Sequence, residues 1–186
     1  MTPATVVWPS AIYLPSYVKA LERKWHPNEA AAEQASSDEL QRIRADPEAF
    51  LKRLADRGTT PLPVTLSDGR QVPRLPGYRK WIWDGEFCGV FAFVWQNGTE
   101  ELPSHCAGHI GMNIVPWKRG LGYASRCLGK FLSEIEEPGI LAVTIETDFE
   151  NTPCRRSIER NNGKLIAGAG KLPDQRAVRY RVELGR

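Results

Sequence analysis

The chain has 186 residues, a length suited to one domain, and its 41% hydrophobic content can fill a sizeable core. With 25% charged residues it is no candidate for disorder, and a net charge of +3 is too mild to argue for a nucleic-acid partner. The first residues lack a charged segment followed by an apolar core, and no apolar run approaches ~20 residues, so neither a signal peptide nor a membrane span is expected and the chain reads as cytoplasmic.

Residues 4–8 have the composition of a short strand ending at Pro9. Leu14, Tyr17, Val18, Leu21 and Trp25 recur at helical spacing over 15–25, with Pro15 at the helix start. Ser36 and Glu39 have capping-box spacing and predict a helix opening there and running to about Arg44. Asp46 and Pro47 then read as the cap and first residue of another helix, with Phe50, Leu51 and Leu54 on its apolar face and Gly58 at its end. Residues 59–78 form a proline-rich excursion that can hold a small hairpin closed by Ser67-Asp68-Gly69. From Arg79 the period becomes that of strands. Residues 80–83 and 87–95 flank the turn Asp84-Gly85-Glu86, and 107–115 adds the third strand of an antiparallel meander.

A helix to about Glu136 follows, striped by Leu121, Ala124, Leu128, Phe131, Leu132 and Ile135. Residues 141–147 read as a strand with Leu141, Val143 and Ile145 on one face, and Thr152-Pro153 opens a helix that ends at Asn162-Gly163. Residues 164–169 and 177–184 read as the last strands. This order predicts an α/β fold: a mixed sheet of six to seven strands with helices on both faces. One domain, 1–186, is expected, made of an N-terminal strand and helices (1–58), the excursion (59–78) and a sheet core carrying the site (79–186).

Four cysteines, Cys88, Cys106, Cys127 and Cys154, include no C-x-x-C pair, and His26, His105 and His109 are too dispersed for a metal motif. Reduced thiols and no metal are expected. The chemistry concentrates instead between strand 107–115 and the helix after it. There the chain reads Ile114-Val115-Pro116-Trp117-Lys118-Arg119-Gly120-Leu121-Gly122-Tyr123-Ala124-Ser125-Arg126. Gly120 and Gly122 let the backbone approach a ligand with no Cβ in the way. Free N–H groups at a helix start bind phosphate oxygens, and Lys118, Arg119 and Arg126 add positive charge. A phosphate-bearing cofactor is expected at this turn.

The element order and two motifs resemble the GNAT superfamily, the acetyl-coenzyme A-dependent N-acetyltransferases, over roughly residues 79–184. The family's Arg/Gln-x-x-Gly-x-Gly/Ala motif is matched by Arg119-Gly120-Leu121-Gly122-Tyr123-Ala124 directly after a strand. A second signature, Asn-x-x-Ser/Ala before a helix, is approximated by Asn151-Thr152-Pro153-Cys154, with the helix closing at Asn161-Asn162-Gly163. Gly108-His109-Ile110-Gly111 is similar to a segment of bacterial members of unassigned substrate.

The resemblance implies acetyl-CoA as co-substrate and direct transfer of its acetyl group to a primary amine, on a small molecule or a protein. The amides of Gly120, Leu121, Gly122, Tyr123 and Ala124 would hold the coenzyme A pyrophosphate, with Arg119 completing the turn. Ile114 and Val115 would pair with the pantetheine arm, the Val115 amide polarising the thioester carbonyl. Asn151 would face the pantetheine, and strands 107–115 and 141–147 would splay to admit it. His109 and Glu146 are the candidate general bases. Where many members carry a tyrosine as acid for the departing thiol, seven residues after the signature Asn, this chain has Ile158, so Ser157, Cys154 or water would have to serve, or proton delivery goes unassisted. The implied partners include neither nucleic acid nor membrane, and a homodimer is left open.

Two other functions compete. A fold of this kind can bind acyl-CoA without catalysis, as a sensor or scaffold. A dinucleotide-binding oxidoreductase would use Gly120-x-Gly122 with Glu146 at the next strand's end, but Ser125 stands where its third glycine belongs.

Overall fold

The computed structural model describes residues 3–58, 63–66, 69–166 and 176–185. Its elements run β1 (Thr5–Val7), α1 (Leu14–Glu22), α2 (Ala32–Ala45), α3 (Pro47–Leu54), β2 (Pro63–Thr65), β3 (Gln71–Pro73), β4 (Gly77–Trp83) and β5 (Phe87–Val94). Then come β6 (Ile110–Ile114), α4 (Tyr123–Ser133), β7 (Ala142–Asp148), α5 (Thr152–Glu159), β8 (Lys164–Leu165) and β9 (Ala177–Glu183). One sheet has the order β1-β4-β5-β6 and is antiparallel throughout; a second has the order β7-β9-β8; β2 and β3 form the hairpin of the excursion.

Side-chain alternation along β4 and β5 decides which helices cover which face. Tyr78, Ile82, Phe91 and Phe93 point to one side and join a core with Leu128 and Phe131 of α4, where the Phe91 and Phe131 rings stack at 4.8 Å. Trp81, Phe87 and Val90 point to the other side and meet α1, α2 and α3 through Tyr17, Ile43 and Phe50. Both faces are therefore helix-covered, as the mixed α/β reading requires. The first core also takes Val143, Ile145 and Tyr180 from the second sheet, so α4 and α5 pack under both sheets.

Several boundaries differ from the sequence reading. Helix α2 begins at Ala32, before the expected capping box. Ser36 is inside it and bonds the Glu33 carbonyl, while Glu39 is buried and turned toward Tyr17, His26 and Arg79. Tertiary partners for the carboxylate outweigh a local cap. The Asp46 cap does form, accepting from the Ala49 N–H at 2.9 Å. Helix α4 stops at Ser133, and Leu121 lies ahead of it, exposed. Leu141 is likewise exposed, just before β7. Ser67, Asp68 and 167–169 lie outside the described residues.

The expected single sheet is divided in two. Among the described residues β6 and β7 share no ladder. They are joined where the His109 N–H donates to the Thr144 carbonyl at 2.7 Å and the Thr144 N–H returns a bond to His109 Nδ1 at 3.0 Å. Gly108 makes this approach possible, since a Cβ there would stand 2.8 Å from the Thr144 carbonyl oxygen. Beyond this junction β6 borders a cleft whose other wall is α5.

Candidate functional site

The cleft has a volume of about 780 Å3. One wall is Met112, Asn113 and Ile114 of β6 with the glycine turn; the other is α5, from its cap Asn151 to Arg160. Gly120 and Gly122 have φ of 77° and 73°, the left-handed region where a side chain costs ~1–2 kcal/mol. No side chain caps α4, and its first backbone bond is the Arg126 N–H to the Gly122 carbonyl. The preceding N–H groups, at the positive end of the helix, thus lack helical acceptors and lie where Gly122, Tyr123 and Ala124 line the cleft.

Charges around the turn divide into those that hold it and those left for a ligand. Lys118 Nζ donates to Asp84 at 2.7 and 2.8 Å, and the Tyr123 hydroxyl donates to the same carboxylate at 2.5 Å. The Asp84 turn of the β4–β5 hairpin is therefore tied to both ends of the glycine turn. Burial opposes the Asp84 charge, but the donors Lys118, Tyr123, Cys88 and the Glu86 N–H together outweigh it and hold the carboxyl at about 2. Lys118, expected as a phosphate cation, is thus a positioning residue. Arg119 donates through Nε to the Ile114 carbonyl and pairs with Glu29 at 2.6 Å. Arg156 and Arg160, missed in the sequence, line the opposite wall with no carboxylate partner among the described residues. Their i, i+4 spacing on a helix beginning at Asn151 was the available signal.

Asn151 caps α5, its side-chain oxygen accepting from the Cys154 N–H at 3.2 Å, and it lines the cleft. Ile114 also lines it. Val115 does not serve as expected. Its N–H donates to the Cys88 carbonyl at 3.0 Å, and Val94 donates to the His109 carbonyl, so the register points the N–H groups of residues 111, 113 and 115 at β5. The N–H groups of Met112 and Ile114 turn the other way, toward the cleft. Counting back from the glycine turn without the register could not tell which N–H groups of β6 face the cleft.

The two candidate bases sit elsewhere. His109 is buried, and since the Thr144 N–H can only donate, Nδ1 is an acceptor and the ring proton lies on Nε2. Burial pushes its pKa down. Its basic nitrogen is engaged in joining the sheets, and it is not in the cleft wall. Glu146 pairs across strands with Arg179 at 2.8 Å, its register partner. Ile158 is fully buried in the core, on the side of α5 away from the cleft. Burial raises the Cys154 thiol above its ordinary value, so it is no activated nucleophile. Trp117 is exposed under the Arg23 guanidinium.

On the α1–α3 side lies a second cavity, about 690 Å3, between α2, α3, the excursion and strands β4 and β5. His26, Glu39, Arg79 and Ala92 line it, as does His105 from the loop before β6. Ala92 is the register partner of Gly111, which adjoins Met112 of the cleft wall. The two cavities thus approach each other across β6. Among the described residues there is no group of three or more metal-ligating side chains that could hold an ion, and no helix is long and apolar enough to cross a membrane.

An antiparallel meander, a strand parted from its neighbour, and a helix-start glycine turn at the parting together make the fold of the GNAT acetyltransferases. The microcin C7 self-immunity acetyltransferase, solved with acetyl-CoA and AMP, matches with a TM-score of 0.54 at 12% identity over 97% of this chain and 92% of its own. A GNAT-family acetyltransferase from Bacillus cereus gives 0.52 at 14% identity over 99% of both chains. A spermidine N-acetyltransferase chimera from Vibrio cholerae gives 0.52 at 11%, over 97% and 96%. No protein-family model and no curated protein sequence matches the chain. What is shared at these identities is the fold.

Proposed function

We propose that the protein is an N-acyltransferase that moves an acetyl group from acetyl-CoA directly to an amine. The observation that carries this reading is the cleft between β6 and α5, closed at one end by an uncapped helix start with two left-handed glycines. The residues present fit acetyl-CoA. The free N–H groups of the turn suit a pyrophosphate, Arg156 and Arg160 suit the ribose 3′-phosphate, and the outward N–H groups of β6 suit a pantetheine amide and thioester.

The Met112 N–H would donate to the thioester oxygen as negative charge develops on it, since Ile114 lies nearer the turn and its carbonyl already takes Arg119. The cavity across β6 would hold the amine. Of its two imidazoles, His26 accepts the Asn28 N–H on Nδ1 and faces Glu39 through Nε2. His105 is then the ring left to take the amine proton as the carbon–nitrogen bond forms and the carbon–sulfur bond breaks.

Thiol release from acetyl-CoA against an amine panel tests the reading. Wild type should respond to at least one amine, Gly122→Trp should lose acetyl-CoA affinity, and His105→Ala should lower kcat by ~100-fold. Acetyl-CoA binding without release to any amine would leave a sensor; no binding would end the proposal.

A further inference from the structure

We propose that the amine accepted in the second cavity carries an anionic group, a carboxylate or a phosphate, held by Arg42, Arg53 and Arg74. This rests on reading the cleft as the acyl-CoA site. Four guanidiniums line the cavity, Arg42, Arg53, Arg74 and Arg79, against the carboxylates Asp38 and Glu39. Glu39 is already engaged: it accepts from Tyr17 and faces His26 at 3.3 Å and Arg79 at 3.4 Å. Asp38 accepts from the Gln34 amide at 2.7 Å. Arg42, Arg53 and Arg74 have no side-chain hydrogen bond or ion pair among the described residues, though they stand close enough to repel one another: after burial, Arg42, Arg74 and Arg79 weaken the hold of Arg53 on its proton, and Glu39 offsets them only in part.

Four guanidiniums against two carboxylates leave an excess of positive charge on this half-buried wall, which an anion would relieve. Guanidinium forks match carboxylate and phosphate oxygens geometrically. The other titratable groups on the wall, His26, His105, Tyr78 and Cys106, add no negative charge, burial raising the phenol and the thiol above their ordinary values. A polyamine would bring further positive charge to this wall and be repelled. An anion anchored among the arginines leaves the amino group of a short substrate to reach Ala92 and Gly111, beside the Met112 N–H.

Matched amines decide it: glycine against glycinamide, phosphoethanolamine against ethanolamine, and spermidine, each with acetyl-CoA. The anionic member of a pair should be favoured in kcat/KM by at least ~10-fold, and the two pairs separate carboxylate from phosphate. Arg53→Gln and Arg74→Gln should each raise KM for the favoured amine by ~10- to 100-fold, the range of a lost charged hydrogen bond, and leave KM for acetyl-CoA unchanged. Independently of activity, inorganic phosphate added to protein saturated with CoA should raise Tm in wild type and not in the double variant. Preference for ethanolamine, glycinamide or spermidine overturns the proposal, as does equal phosphate stabilisation of wild type and double variant. If acetyl-CoA fails to bind at all, the acyltransferase reading falls, and the same phosphate titration run without CoA still decides, by the difference between wild type and double variant, whether the arginines form an anion site.

Discussion

Asp84 shows how much of the cleft depends on a residue that does not line it. Its carboxylate joins the β4–β5 turn to Lys118 and Tyr123, one on each side of the glycines. Asp84→Asn keeps the shape and removes the charge. It should cost ~1.5–3 kcal/mol of stability, the range for hydrogen bonds to a charged group, and weaken acetyl-CoA binding without touching the ligand. The pH dependence has a definite sign. The folded carboxyl is held at about 2 against an ordinary 3.8, so its contribution is complete above 3.8 and is lost as the pH falls through about 2. Acid unfolding curves of wild type and variant should differ above this window and converge below it. Ile158 makes the opposite point. Its position in sequence invites restoration of a tyrosine acid, but the side chain is fully buried, with Gly163 packed close against it. Ile158→Tyr should therefore overpack the core, lowering stability by ~1–3 kcal/mol with no gain in kcat; a raised kcat with unchanged Tm would overturn this.

At the scale of elements, the junction between β6 and β7 is the feature that makes a cleft from a sheet. His109 supplies it by accepting the Thr144 N–H, which a protonated ring cannot do. Burial keeps the ring's folded pKa below its ordinary 6.5, so this contribution to stability is complete above 6.5 and is lost as pH falls through the depressed value. Tm should drop more steeply from pH 7 to pH 5 in wild type than in His109→Asn, whose amide oxygen can accept the same bond without titrating. His109→Ala should leave the Thr144 donor unsatisfied and cost ~1–3 kcal/mol at pH 7. The sequence made the strands and helices of 77–159 legible because period and turn residues agreed there: Asp84-Gly85-Glu86 and the glycine turn formed where expected, as did the Asp46 cap earlier in the chain. It did not reveal which N–H groups of β6 point outward, because that depends on pairing with β5. Nor did it separate a base from a structural histidine, since Thr144 lies 35 residues away. Glu39 looked like a cap for the same reason: Tyr17 and Arg79, which engage it, are far along the chain.

For the whole molecule, one core runs beneath both sheets through α4 and α5, while above it the sheets are tied chiefly at the His109 end. A ligand that touches the glycine turn on one wall and α5 on the other adds a second tie. Such a ligand binds the folded state alone, so it stabilises by ~2.7 kcal/mol at a hundred times its Kd. In a chain of this size each kcal/mol moves Tm by ~2–4 °C, which gives a rise of about 5–11 °C. Coenzyme A should produce it and NAD should not. Arg156 and Arg160 make the comparison sharper, because they face the cleft without carboxylate partners among the described residues. If they take the ribose 3′-phosphate, dephospho-CoA should raise Tm less than CoA at equal concentration. Arg156→Gln with Arg160→Gln should then erase the difference between the two ligands and leave the response to dephospho-CoA intact. A double variant that still distinguishes them would place the 3′-phosphate elsewhere, and equal responses to CoA and NAD would remove the cleft from consideration as an acyl-CoA site.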